Sequence, residues 1–159
     1  VPPGSDGLTI LPFGNGSERI LMNRDAGCRI LGLNFNRHSN PHLFRAAQEG
    51  IAFSFRYGLD IMKETGINPI IIRAGKANMF LSEVFREVLS CITGTPLHLY
   101  NTDGSAGAAR GAGIGCGYYQ SAGEAFTGLR AVGVTEPDME KISVYSEAYE
   151  SWKSHINSL

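Results

Sequence analysis

The run Arg73-Ala74-Gly75-Lys76-Ala77-Asn78 has the residue types and spacing best suited to chemistry in this chain. A glycine in a bend lets the main chain take φ > 0, or lets a ligand come where a Cβ would clash. Lys76 and Asn78 add side-chain donors beside that bend. The helical pattern that follows would aim its first unpaired N–H groups back at it. This suits an adenine nucleotide touching Gly75, with Lys76 or Asn78 donating hydrogen bonds. It equally suits a tight turn with a solvated lysine.

Other chemical candidates are weaker. Gly111, Gly113, Gly115 and Gly117 lack the GxGxxG spacing of a dinucleotide fingerprint and fall inside a helical pattern. Gly107, Gly111 and Gly115 recur every four residues, which predicts a small-residue helix face packed hard on a sheet. His38, His42, His98 and His155 have no metal-ligand spacing, so no metal site is expected from them. Ser17 sits in Asn15-Gly16-Ser17-Glu18, which is not a nucleophile elbow. Glu18, Asp25 and Asp103 lie in loops, where carboxylates serve catalysis or are merely solvated.

The elements that must position these residues alternate in type. Leu8–Phe13 and Cys28–Leu33 read as strands, with a two-glycine loop over Gly14–Ser17. A helix is expected from Pro41 to Thr65, roughly 37 Å long. Ser39 or Asn40 would cap it, and Gly66 would close it. Its apolar face is read as Phe44, Ala47, Ile51, Phe55, Leu59 and Met62. Ile70–Ala74 reads as a buried strand built on three isoleucines. A second helix runs from Leu81 to Gly94, and Leu97–Tyr100 is the next strand. A third helix is expected over Ser105–Gln120, and a last one opens at Thr135-Glu136-Pro137-Asp138. Its stripe is Ile142, Tyr145, Tyr149, Trp152 and Ile156, aromatic residues most simply read as core. The alternation implies an α/β fold with a largely parallel central sheet flanked by helices.

The totals bound the answer. A chain of 159 residues is one domain that buries roughly 70% of its unfolded surface. A net charge of −1 gives no polyanion signal, so no nucleic-acid partner is expected. No apolar run reaches the ~18 residues of a membrane span. Cys28, Cys91 and Cys116 show no pairing pattern, which favours buried thiols in a reducing cytoplasm. The chain opens on Val1-Pro2-Pro3 rather than Met and reads as a piece of a longer protein.

Several segments in order resemble one known family. Leu11-Pro12-Phe13 with Gly16-Ser17-Glu18-Arg19 is similar to an LPY…GER segment, and Asn23-Arg24-Asp25-Ala26-Gly27 to the DPNARG turn after it. Ile30-Leu31-Gly32-Leu33 and His42–Gly50 resemble the second signature of the FGGY carbohydrate kinases. Phe85–Leu89 with Thr93–Leu97, and Asp103–Ala109, resemble the helix, strand and EGAALGAA helix start beyond that family's adenosine loop. The likeness is strongest to the xylulokinases of the family. It implies a ribonuclease-H-like lobe of the actin/hexokinase ATPase type, the C-terminal, nucleotide-binding lobe of a two-lobe sugar kinase. It implies ATP and Mg²⁺ as cofactors and a sugar substrate shared with an absent N-terminal lobe, which would hold the catalytic base. By position it assigns Ala74, Gly75, Lys76 and Asn78 to nucleotide contact, Gly75 matching the family glycine directly. A homodimer is admissible, and nothing indicates a membrane or nucleic-acid partner. The alternative is a non-catalytic interaction or regulatory module of the same fold that has lost ATP.

Overall fold

The computed structural model describes residues 1–14 and 18–158. Ten elements follow in chain order: β1 (Thr9–Pro12), β2 (Cys28–Leu31), α1 (Asn40–Glu64), β3 (Ile72–Gly75), α2 (Glu83–Thr93), β4 (Leu97–Tyr100), α3 (Gly104–Gly115), α4 (Ala122–Ala125), β5 (Ala131–Thr135) and α5 (Ile142–Asn157). Short 3₁₀ turns occupy Ser5–Gly7, Glu18–Leu21 and Asn78–Leu81. Most of the two-glycine loop, with Ser17, lies outside the described residues.

The α/β class holds, but the expected single, largely parallel sheet does not. Strands β1 and β2 pair antiparallel as a separate ribbon. The other sheet has the order β3-β4-β5, with β3 parallel and β5 antiparallel to β4. The antiparallel strand of the second sheet comes from residues 131–135. The Thr135-Glu136-Pro137-Asp138 signal reads as a helix start, yet Thr135 ends a strand opposite Leu97. Helix α5 begins only after Lys141. Val132 and Val134 alternate with Ala131 and Gly133, a four-residue pattern too short to outweigh a helix cap.

Helix α1 starts where capping chemistry puts it. Ser39 is extended, and its N–H donates to Nδ1 of His42 at 3.1 Å. Gly66 at φ +85° closes the helix, its N–H donating to the Lys63 carbonyl. The buried face is not the expected apolar stripe. Phe44 and Phe55 are exposed, at 70% and 49%, while Ala46, Glu49, Gly50 and Phe53 are buried. Helix α1 turns its smallest residues to β1, and a Cβ on Gly50 would sit 2.2 Å from the Ile10 carbonyl oxygen. Close backbone approach decides the face here, not side-chain hydrophobicity.

Helix α2 follows the same grammar with fewer surprises. Ser82 Oγ accepts from Phe85 N, and Gly94 takes the left-handed C-cap at φ +63°. It buries Phe85, Val88, Leu89 and Ile92. Helix α5 buries Tyr145, Tyr149, Trp152 and Ile156 of the stripe expected of it, and Ile142 is half-buried. The Trp152 indole N–H donates to the Ile10 carbonyl at 3.0 Å, tying the end of the chain to β1. Phe53 meets the Trp152 ring edge-on, and Tyr149 stacks on it.

Three further expectations need correction. Ile70 is 87% exposed and precedes β3, so the buried residue of that strand is Ala74 rather than the isoleucine run. Helix α3 stops at Gly115, has no buried residue, and leaves open space beside Gly107, Gly111 and Gly115. The hard packing expected of that face is therefore absent among the described residues. Of the three thiols only Cys91 is buried, accepting from the Asp138 N–H at 3.3 Å; Cys28 and Cys116 are exposed.

Candidate functional site

Strands β3 and β4 are parallel neighbours, so the loops that leave their C-terminal ends lie side by side. The first loop is Lys76–Ala77 leading into the 3₁₀ turn Asn78–Leu81. The second is Asn101–Asp103, leading into α3. Between them is a hollow of about 260 Å³. Gly75, Ala77, Asn78 and Phe80 wall one side, and Thr102, Asp103 and Gly104 the other.

Main-chain bonds fix the two loops. Lys76 N donates to the Tyr100 carbonyl at 2.9 Å, and Ala77 N to the Gly75 carbonyl at 2.8 Å. Thr102 N donates to the Tyr100 carbonyl at 2.8 Å. Asn78 takes φ +52°, a left-handed conformation that asparagine tolerates better than most residues. Gly75 is required for a different reason from a positive φ. A Cβ there would meet the Thr102 carbonyl oxygen at 2.6 Å and Asp103 Cα at 3.2 Å. The glycine makes room for the second loop's own backbone, and the hollow opens alongside that junction.

Asp103 caps α3. Its Oδ1 accepts from Ala106 N at 2.8 Å and from Ser105 Oγ at 2.7 Å. The Ala106 N–H, with the Ser105 hydroxyl, holds the Asp103 carboxyl below the usual carboxylate range. Arg110, two turns into α3, donates to Thr102 Oγ1 at 2.8 Å and lies 5.9 Å over the Phe126 ring.

The four expected contact residues therefore part company. Gly75 and Asn78 both line the hollow. Ala74 is buried in the core at 8% exposure. Lys76 lines a second hollow of about 280 Å³ with Arg86, Leu99 and β5. Thr102, Asp103 and Gly104 complete the first hollow, although in one dimension they read only as a turn and a loop carboxylate. The signal that could find them is the succession of two strand-loop-helix units, which brings their loops to one sheet edge.

A larger hollow of about 630 Å³ lies between α1 and β3, walled by Phe55, Leu59, Met62, Ile72 and Phe80. Its lining is almost wholly apolar, with Arg19, Ser54 and Arg73 as polar exceptions. No helix of the described residues is long and apolar enough to cross a membrane.

The profile of the FGGY family of carbohydrate kinases, C-terminal domain, matches residues 1–118. The chain belongs to the FGGY family of carbohydrate kinases. Xylulose kinase of Haemophilus influenzae is 30% identical over 166 residues, covering 99% of this chain and 32% of that protein. L-xylulose/3-keto-L-gulonate kinase of Escherichia coli is 29% identical, covering all of this chain and 32% of that protein. In structure, xylulose kinase from Rhodospirillum rubrum superposes over the whole chain with a TM-score of 0.79 and 26% identity, covering 32% of that chain. Plasmodium falciparum glycerol kinase with ADP shares the fold, with a TM-score of 0.72 over 97% of this chain. The chain spans about a third of the length of these FGGY relatives. Its fold is that of the FGGY kinases, the actin/hexokinase-like architecture.

Proposed function

We propose that this chain is the nucleotide-binding, C-terminal lobe of an ATP-dependent sugar kinase, nearest in kind to the xylulose kinases. The observation that carries this reading is the hollow where Gly75 and Asn78 meet Asp103 and Gly104 at the ends of parallel strands. Ligands of open α/β sheets sit outside the carboxyl ends of the strands. Gly75 and Asn78 are the residues we assign to nucleotide contact, with Lys76 bordering from the neighbouring hollow and Ala74 supporting the strand from the core.

Phosphoryl transfer depends on positioning and charge neutralisation more than on covalent chemistry. This lobe's part is to hold the nucleotide against a rigid sheet edge. Among the described residues no three or more His, Cys, Asp or Glu side chains converge on one point. Those residues thus offer no metal cage of their own, and Mg²⁺ would come with the phosphates. The acceptor, a ketopentose or similar sugar, and the base that deprotonates it belong to a second lobe closing on this one.

Thermal melting with and without millimolar ATP–Mg²⁺ tests the reading on the full-length kinase. Ligand at 100 times its Kd adds about 2.7 kcal/mol to stability. No shift would favour a non-catalytic module of the same fold. The 159 residues alone, given ATP and D-xylulose, are expected to yield no ADP; clear turnover would show that the base lies within this chain.

A further inference from the structure

The 3₁₀ turn Asn78–Leu81 joins the Gly75 bend to α2, and its first residue sits at φ +52°. A residue other than glycine keeps a left-handed conformation only where its surroundings over-determine it. Inside the turn, Phe80 N donates to the Ala77 carbonyl at 3.2 Å, and Ser82 N to the Met79 carbonyl at 3.0 Å. Bonds of this 3₁₀ kind have poorer geometry than α-helical ones, so a turn this short needs a hold from outside.

Three contacts supply that hold. The Phe80 ring meets Phe55 and Phe85 edge-on, with centroids 6.4 and 5.4 Å away. Ser82 Oγ donates to Gln48 Oε1 on α1. Arg86 Nη1, in the first turn of α2, donates to the Phe80 carbonyl at 2.7 Å. This third contact differs in kind. Among the described residues it is the one hydrogen bond from a side chain to the main chain of the turn, and it is charge-assisted.

Helix α2 does not depend on Arg86. Ser82 and Gly94 cap the helix, and Phe85, Val88, Leu89 and Ile92 fill its buried face. The Glu83 carboxylate stands 4.0 Å from Arg86 and is 93% exposed, a pair that adds little. Yet the Arg86 side chain is itself mostly covered, at 17% exposure. Arg86 lines the neighbouring hollow with Lys76, not the one walled by Gly75 and Asn78. It acts on the second hollow through the turn.

We propose that Arg86 is a positioning residue for nucleotide binding: by holding the Phe80 carbonyl it fixes the Asn78–Leu81 turn, and with it Asn78, at the wall of the hollow. This rests on the nucleotide reading above and deepens it.

Titration calorimetry with ADP–Mg²⁺ on the full-length kinase tests it, comparing wild type with R86M, R86K, N78G and the double variant N78G/R86M. Met keeps much of the stem and loses every donor, whereas Lys keeps the charge and a donor to the carbonyl. Glycine at 78 keeps the left-handed backbone and removes the side chain. Melting curves without ligand check folding, and R86Q, neutral and shorter, replaces R86M if that variant does not fold. R86M should weaken ADP about tenfold, the loss of a hydrogen bond from a charged donor. R86K should recover most of that loss. In the N78G background the same Arg86 change should cost less than about threefold, because two residues acting through one contact are not additive. Unchanged ADP affinity in folded R86M, no recovery in R86K, or a full tenfold loss on top of N78G would each overturn the proposal while leaving the nucleotide reading intact. Failure of wild type to bind ADP would remove both.

Discussion

Single atoms decide the site's geometry at Gly75. The space a Cβ would fill holds the Thr102 carbonyl oxygen at 2.6 Å, and that oxygen belongs to backbone with little freedom to move. Gly75→Ala should therefore destabilise the fold by about 1–3 kcal/mol. Denaturant melts check the stability. The same variant should also lose its ATP-induced melting shift. Gly107 is the contrasting case, since nothing lies within 4 Å of the place a methyl would take and it sits inside α3. Gly107→Ala should stabilise this chain by up to about 1 kcal/mol, through helix propensity alone. A loss of stability instead would mean that α3 packs through its glycine face after all.

At the scale of elements, α1, α2 and α5 are joined by a half-buried polar network. Arg45 donates to Glu49 at 2.9 Å and to the Tyr145 hydroxyl. That hydroxyl donates to Glu87, which also accepts from Lys141 at 2.7 Å. Burial alone would raise the Glu87 carboxyl, but the bonds from Lys141 and Tyr145 outweigh it and hold it below its ordinary 4.5. Folded Glu87 thus binds its proton less tightly than the unfolded chain does. Its contribution is present above about pH 4.5 and is lost as pH falls through the folded value. Glu49 runs the other way. Burial raises it above 4.5, so its charge opposes folding increasingly as pH rises through that window. Glu87→Gln should flatten the acid limb of the stability profile and lower stability at pH 7. Urea melts from acid to neutral pH check this, and an unchanged acid limb would contradict it.

Across the whole molecule, the described residues leave large apolar side chains in water. Met22, Phe35 and Ile70 are exposed at 94%, 87% and 87%, and Phe55 and Met62 wall an open apolar hollow. The open hollow is the contiguous part of this apolar surface, and such surface takes up a hydrophobic dye unless other protein covers it. The 159-residue chain by itself should bind the dye ANS at neutral pH, and a longer chain containing it should bind less per molecule. Fluorescence titration measures both; equal dye binding would mean that these faces stay solvated in the larger protein.

Local chemistry made much of this protein legible in one dimension. Ser39 and Gly66 bound α1, Ser82 and Gly94 bound α2, and the aromatic spacing of α5 names its buried stripe, because caps and periodicity act within a few residues. The ordered motifs around Leu11, His42, Phe85 and Asp103 were enough to point to the FGGY kinases. Long-range contacts decided the rest. The buried face of α1 depends on the Ile10 carbonyl meeting Gly50, far away in sequence, and β5 exists because residues 131–135 find the free edge of β4. Asp103 joins Gly75 at one hollow only because β3 and β4 run parallel, so that two distant loops share an end of the sheet. No spacing along the chain encodes such a meeting. It follows from strand pairing, which is a property of the folded backbone.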